Sequence, residues 1–325
     1  MTRSTRRRVL SALALALLFI AALVGWRFNH DLQRAQARAA QGSVLVQTPC
    51  GQIEYQEVGR GKPLLAIHGS GGGHDQGMAF AGLLAQRKIR VIAMSRFGYL
   101  RTPMPADASA FAQADAHVCL LDALGIAKAA VLGGSAGAPS AIQMAIRHPD
   151  RVSALVLIVP LTHKPATQLD SAPMMNPKVE KIMLRAISSD FLFWASLHVG
   201  RGSLIKTVLA TPPELLANAS APEQARVNAM LDNILPVSAR AIGLLSDTAA
   251  SKQLKPVALE AIRVPTLIFS ARDDRYGTYA SAEYTASQIP GAKFIGFEQG
   301  GHTWAGHDDE VMRAVGELVI QASKP

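Results

Sequence analysis

Residues 129–148 read AAVLGGSAGAPSAIQMAIRH. An apolar run, AAVL, meets two glycines and Ser135, and an amphipathic run follows Gly137 and Ala138. Strand, tight turn, helix is the order expected of a β-α unit. Gly133-Gly134-Ser135-Ala136-Gly137 fits G-x-S-x-G, a pattern in which serine occupies a strained turn between the two elements. Neighbours two positions away must lack bulk there, and Gly133 and Gly137 meet that need. The helix starting at the turn aims its first amides at any negative charge that develops nearby. By itself the pattern is common, and a purely structural turn serine has the same neighbours.

Outward from this turn, β-branched apolar runs alternate with helical patterns from about residue 43. The runs are SVLVQT, QIEYQEV, PLLAIHG, RVIAMS, AAVLGG, ALVLIVP, PTLIFSA and KFIGFE. Such alternation predicts an α/β fold on a mainly parallel sheet. The first two runs, joined through PCG, predict an antiparallel hairpin at its edge. Helices are expected at 113–124, 137–148 and 308–321, the last opened by Asp308 and Asp309. Between Pro160 and about residue 255 the alternation stops. Amphipathic stretches such as PKVEKIMLRAI, SDFLFWASLHV and EQARVNAMLDNIL replace it. A helical block spliced between two strands predicts an insertion over the sheet's C-terminal edge, where open α/β sheets bind ligands. The expected division is 1–42 anchor and stalk, 43–160 first part of the core, 161–255 helical lid and 256–325 second part of the core.

Of 325 residues, 49% are hydrophobic and 18% charged, a composition that buries a large core and excludes a disordered chain. The net charge of +9 is unevenly placed. Residues 1–41 hold seven arginines against Asp31, so the other 284 residues carry only +3. A nearly neutral body lacks the broad basic surface of a nucleic-acid binder. After four arginines, Val9 to Trp26 are uncharged and lack a polar face. These 18 residues reach roughly 27 Å as a helix, close to a bilayer's hydrocarbon thickness.

The expected reading is a retained single-span anchor. The small-x-small sites at Ala35–Ala37 and Ala37–Ala39 lie too far past the apolar run for ordinary signal cleavage. Arginines before the span hold that end in the cytoplasm, so the catalytic body faces outward, into the periplasm. The alternative is an exported protein made soluble by signal cleavage. Asp31 to Gln41 then reads as a polar stalk. Of the two cysteines, Cys119 sits in an apolar helical pattern and is expected as a buried, unreactive thiol. A Cys50–Cys119 disulfide is compatible with an oxidising compartment, but nothing in the spacing calls for it.

A serine nucleophile needs a base, and the base needs an orienting acid. His302, in EQGGHTWAGH, follows a predicted strand and two glycines, and His307 is its nearby rival. Asp273 and Asp274 end the strand PTLIFSA, and either could be the acid. Serine, then acid, then histidine is the α/β-hydrolase chain order. The loop HGSGGG, residues 68–73, places the amide of Ser70 (or Gly71) to join that of Ala136 as an oxyanion hole. His68 reads as a structural prop of that loop. Gly71, His74, Phe191 and Trp194 are the expected substrate-binding residues, although aromatics at helical spacing more often serve lid packing. His74 and Asp75 lack a third ligand at suitable spacing, so neither metal nor cofactor is expected.

With HGSGGG, SRFGYLRTP, GGSAG, HPDRVSALVLI, VPTLIFSARDD and GGH in order, the sequence resembles the α/β-hydrolase-fold serine hydrolases. The resemblance is to the group of lid-bearing esterases, C–C hydrolases and cofactor-free haloperoxidases, over about residues 50–160 and 255–320. It implies an eight-stranded, mostly parallel sheet and a triad of Ser135, His302 and Asp274. Asp274 is chosen because the group's acid is usually the fourth residue of a G-x-x-D segment, here Ala271 to Asp274. Gly134, Ala138 and Leu100 depart from residues frequent in the group. The implied activity is hydrolysis of a small to medium, moderately hydrophobic carboxylic ester. C–C bond hydrolysis, perhydrolysis and a non-catalytic membrane-tethered binding role are the alternatives.

Overall fold

The computed structural model describes residues 3–163 and 188–322. The predicted run PKVEKIMLRAI lies outside them. Eight strands form one sheet: β1 (Val44–Thr48), β2 (Gly51–Val58), β3 (Lys62–Ile67), β4 (Ile89–Met94), β5 (Ala129–Gly134), β6 (Val152–Ile158), β7 (Thr266–Ala271) and β8 (Lys293–Phe297). Their order is β1-β2-β4-β3-β5-β6-β7-β8. The β1–β2 and β2–β4 pairs are antiparallel and the rest parallel. Each run expected as a strand is one.

Every residue of β5, β6 and β7 is buried, because helices cover both faces of a parallel sheet. One face packs α3 (Ala110–Ala123), α4 (Ala138–Arg147) and α10 (Thr278–Gln288) through Leu120, Leu121, Ile142, Met144 and Ala282. The other packs α2 (His74–Ala81) and, at the chain's end, α11 (Asp308–Ala322), whose Val311, Val315 and Val319 reach the sheet. The α3 start is fixed by Ser109, whose hydroxyl accepts from the Ala112 amide at 3.2 Å. Pro139 stands in the first turn of α4, where its missing amide hydrogen costs no helical bond.

Between β6 and β7 lie α5 (Asp190–Val199), α6 (Arg201–Thr207), α7 (Pro213–Asn218), α8 (Ala221–Asp232) and α9 (Ala241–Ser251). The first four form a small core around Phe193, Ile205, Val227 and Leu231. The expected stalk is not a separate segment. A single helix, α1 (Arg3–Ala40), carries the apolar stretch and continues through it. Ala35 is buried in the core of the inserted helices, and Phe28 meets the Phe191 ring edge-on at 5.2 Å. Trp194 Nε1 donates to Asp31 at 3.0 Å, and Arg38 Nε donates to Asn233 at 2.8 Å. The polar residues of this stretch thus serve docking, while Leu10 to Trp26 remain exposed. The thiols also differ from expectation: Cys50 and Cys119 form a disulfide that ties the β1–β2 hairpin to α3. A fold brings together residues 69 apart in sequence, which spacing alone cannot reveal.

Candidate active site

The loops after β3, β5, β7 and β8 share one edge of the sheet because these strands run parallel. Ser135 follows β5 with φ +48°, left-handed backbone that a non-glycine residue holds only at a cost. The flanking glycines are sterically required. A Cβ on Gly133 would meet that of Ala141 at 2.7 Å, and one on Gly137 would meet the Ile67 carbonyl oxygen at the same distance. Gly134 has a local reason as well: a side chain there would collide with the Phe80 ring.

Asp274 follows β7 and His302 follows β8. His302 Nδ1 lies 2.8 Å from Asp274 Oδ2, with the imidazole 14% exposed and the carboxylate fully buried. Burial alone would raise the Asp274 carboxyl. The charge and hydrogen bond of His302, the Thr278 hydroxyl and the Tyr276 amide outweigh it and hold the group below the usual carboxylate range. Asp273 does something else: it accepts from the amides of Gly300 and Gly301 at 3.3 and 2.8 Å, fixing the loop that carries His302. His307 stacks on Phe297 and bonds the Gln299 carbonyl, away from Asp274's carboxylate. Among the described residues the Ser135 hydroxyl has no hydrogen-bond partner.

The loop after β3 is held from several sides. His68 Nε2 accepts from the Arg96 amide at 2.9 Å, so Nδ1 carries the proton and donates to the Gly69 carbonyl. Burial, then the nearby Arg96 charge, pushes His68 far below its ordinary value and keeps it neutral. The Gly69 amide donates to Gln76 and the Gly71 amide to the Tyr99 hydroxyl. The Ser70 amide has no partner among the described residues, and Ala136 stands in a first helical turn, where amides lack intrahelical acceptors.

Two expected substrate-binding residues are otherwise engaged. His74 is 1% exposed, with its ring between Gln56 Oε1 at 3.0 Å and the Ala39 carbonyl at 2.9 Å, so it braces α1 rather than facing a substrate. Trp194 is buried against Phe28 and Asp31. Phe191 is partly exposed beside it, and Gly71 is buried in the loop.

Sequence reading missed the groups that tie the inserted helices to this edge. Asp247, on α9, accepts from Arg96 Nη1 and Nη2 at 2.9 and 2.5 Å, from Tyr99 at 2.5 Å and from the Ser70 hydroxyl at 2.9 Å. Arg240 donates to the Gly72 carbonyl at 2.5 Å and to Asp75 at 2.7 Å. Arg96 and Tyr99 lie in the SRFGYLRTP stretch, but Asp247 was one polar residue among many in an amphipathic helix. Tyr276 was missed too; its ring meets the His302 imidazole edge-on at 4.8 Å.

A positive-φ serine turn, a carboxylate-bound histidine and this sheet order define the α/β-hydrolase fold. The chain belongs to the alpha/beta hydrolase fold family, which it matches over residues 62–304. It is 33% identical over 144 residues to an uncharacterized hydrolase of Bacillus subtilis, covering 43% of this chain and 50% of that one. To a 2-hydroxymuconate semialdehyde hydrolase of Pseudomonas putida it is 38% identical over 111 residues, 33% of this chain and 39% of that one. The chain thus spans half or less of the length of these relatives. A solved alpha/beta hydrolase fold protein from Nakamurella multipartita superposes with a TM-score of 0.64 at 29% identity, covering 87% of this chain and 100% of that one.

Proposed function

We propose that the protein is a serine hydrolase that cleaves an uncharged, small to medium, moderately hydrophobic carboxylic ester through an acyl-enzyme. The observation that carries this reading is the buried Asp274–His302 hydrogen bond at 2.8 Å, on the same sheet edge as the positive-φ Ser135. Ser135 Oγ attacks the ester carbonyl carbon while His302 Nε2 takes its proton. Asp274 holds the Nδ1–H tautomer and stabilises the imidazolium. The amides of Ser70 and Ala136 bind the oxyanion. Collapse breaks the bond to the alcohol oxygen, which leaves with the proton from His302. Water, deprotonated by His302, then attacks the acyl carbon and releases the acid and Ser135.

C–C bond hydrolysis is the second reading, and the relative from Pseudomonas putida supports it. A semialdehyde of muconate carries a carboxylate, which calls for a free cation. Among the described residues Arg96 is the arginine beside the Ala136 turn, and Asp247 already neutralises it. The named relatives weigh toward this C–C chemistry, and the pairing of Arg96 with Asp247 is what supports the uncharged ester. The inserted helices act as a lid, held by Asp247 and Arg240. The N-terminal helix anchors the protein with its catalytic body outside the cytoplasm; its exposed apolar stretch, of mean hydropathy 2.5, and the disulfide support that location. Turnover of a panel of 4-nitrophenyl esters beside 2-hydroxymuconate semialdehyde separates the two chemistries. Ester turnover that greatly exceeds semialdehyde turnover is expected, and the reverse ranking would establish the second reading.

A further inference from the structure

His302 sits in a stretch of backbone that needs outside support. Gly300, Gly301 and Trp304 have φ of +145°, +60° and +44°. The glycines adopt that region freely, whereas tryptophan holds it only where its surroundings over-determine it. Upstream of His302, Asp273 ties the amides of Gly300 and Gly301 to the end of β7. Downstream, the support comes from the chain inserted between β6 and β7. The His302 amide donates to the Ala210 carbonyl at 3.3 Å, and the Thr303 amide to the Thr211 hydroxyl at 3.1 Å. Arg226, on α8, reaches three groups of the same stretch. Its Nη2 donates to the Thr303 carbonyl at 2.8 Å and its Nε to Asp308 Oδ2 at 2.7 Å. Its guanidinium carbon lies 4.5 Å from the centre of the Trp304 ring. One turn earlier on α8, Glu223 accepts from the amides of Gly306 and Asp308 at 3.0 and 2.9 Å.

These contacts have a fixed base. Asp308 opens α11, which packs on the sheet through Val311, Val315 and Val319. The Arg226 and Asp308 side chains are 6% and 10% exposed, so water competes little for the pair. A guanidinium is a rigid planar fork. Pairing one edge with Asp308 aims Nη2 at the carbonyl directly beyond His302 and lays the cation against Trp304. We propose that Arg226 is a positioning residue, which holds the Thr303–Trp304 backbone in the form that keeps His302 Nδ1 on Asp274. The proposal rests on His302 being the base of the reaction proposed above. It gives the inserted helices a part in aiming that base.

The test uses full-length protein in detergent, labelled with ¹⁵N-histidine, and 4-nitrophenyl butyrate as substrate. The His302 Nδ1–H proton, bonded to a buried carboxylate, gives a downfield resonance that is assigned by its absence from His302→Gln. In Arg226→Met that resonance moves upfield and is lost to exchange with water. There kcat falls about a hundredfold while KM changes by less than about twofold, as expected of a misaimed base. Arg201→Met is the control. Arg201 also grips α8, its Nε donating to Asn228 and its Nη1 to Asp232, both at 2.8 Å. Its loss leaves the resonance in place and kcat within about twofold of wild type. Arg226→Lys keeps a cation beside Asp308 without the planar fork, and recovers about tenfold of the lost rate. A resonance and a kcat that both survive in Arg226→Met overturn the proposal. So do equal losses in Arg226→Met and Arg201→Met, which make the inserted helices a general prop. If Arg226→Met does not fold, Arg226→Lys against Arg201→Lys reads the same two signals. If the resonance moves as expected but wild-type protein turns over no ester, the positioning of His302 stands and the hydrolase reading fails.

Discussion

Two adjacent carboxylates divide the work around His302. Asp274 bonds the imidazole, and Asp273 bonds the amides of Gly300 and Gly301 that deliver it. Asp274→Asn presents the wrong tautomer to Ser135 and is expected to lower kcat by about 10⁴. Asp273→Asn only loosens the loop, and a loss of about tenfold is expected; steady-state kinetics on one ester compare the two. The lowered Asp274 carboxyl also predicts a pH dependence of stability. A carboxylate that binds its proton less tightly when folded contributes stability above its unfolded value, about pH 4. That contribution is lost as pH falls through the lowered value. Urea midpoints should therefore drop between about pH 5 and pH 3 in wild type, and less steeply in Asp274→Asn. Placement was legible where a motif isolates one side chain: Ser135 follows β5 and His302 follows β8, at the strand ends where the sequence puts them. Asp273 and Asp274 share a strand end, so composition alone left the choice open and the family pattern supplied it. His74 misled because a histidine after a glycine loop looks exposed, whereas α1 covers it.

Elements repeat this division between local and distant signals. Each strand was legible because its apolar residues are contiguous and a parallel sheet buries both faces. The clamp between α9 and the loop after β4 was not, since Arg96 and Asp247 lie 151 residues apart. Their side chains are 8% and 12% exposed, so the loss of one partner strands a buried charge. Asp247→Ala should cost about 3–5 kcal/mol in chemical denaturation. It also frees the Ser70 hydroxyl, so kcat should fall more than KM rises. A kcat that survives while stability falls would show that the clamp holds the inserted helices without positioning the loop after β3.

At the scale of the whole molecule, one helix links the apolar N-terminal stretch to the inserted helices through Phe28, Asp31, Ala35 and Arg38. The apolar stretch of this helix was legible as an uncharged run. Its continuation was not, because docking uses scattered residues that look like a soluble stalk. Carbonate washing should leave the protein in the membrane fraction if the span is retained, and release it if the span is cleaved. The Cys50–Cys119 bridge closes a loop of 69 residues. Its reduction should cost about 2–4 kcal/mol, read as a lower urea midpoint under reductant. The sheet edge and the Arg96–Asp247 pair both bear on the loops around the serine of GGSAG, and its reactivity is the most direct test. Full-length protein treated with a fluorophosphonate should gain one adduct, mapped by mass spectrometry to Ser135, and Ser135→Ala should gain none. An adduct on another residue, equal labelling of Ser135→Ala, or an unlabelled wild type that is inert to esters would contradict the account.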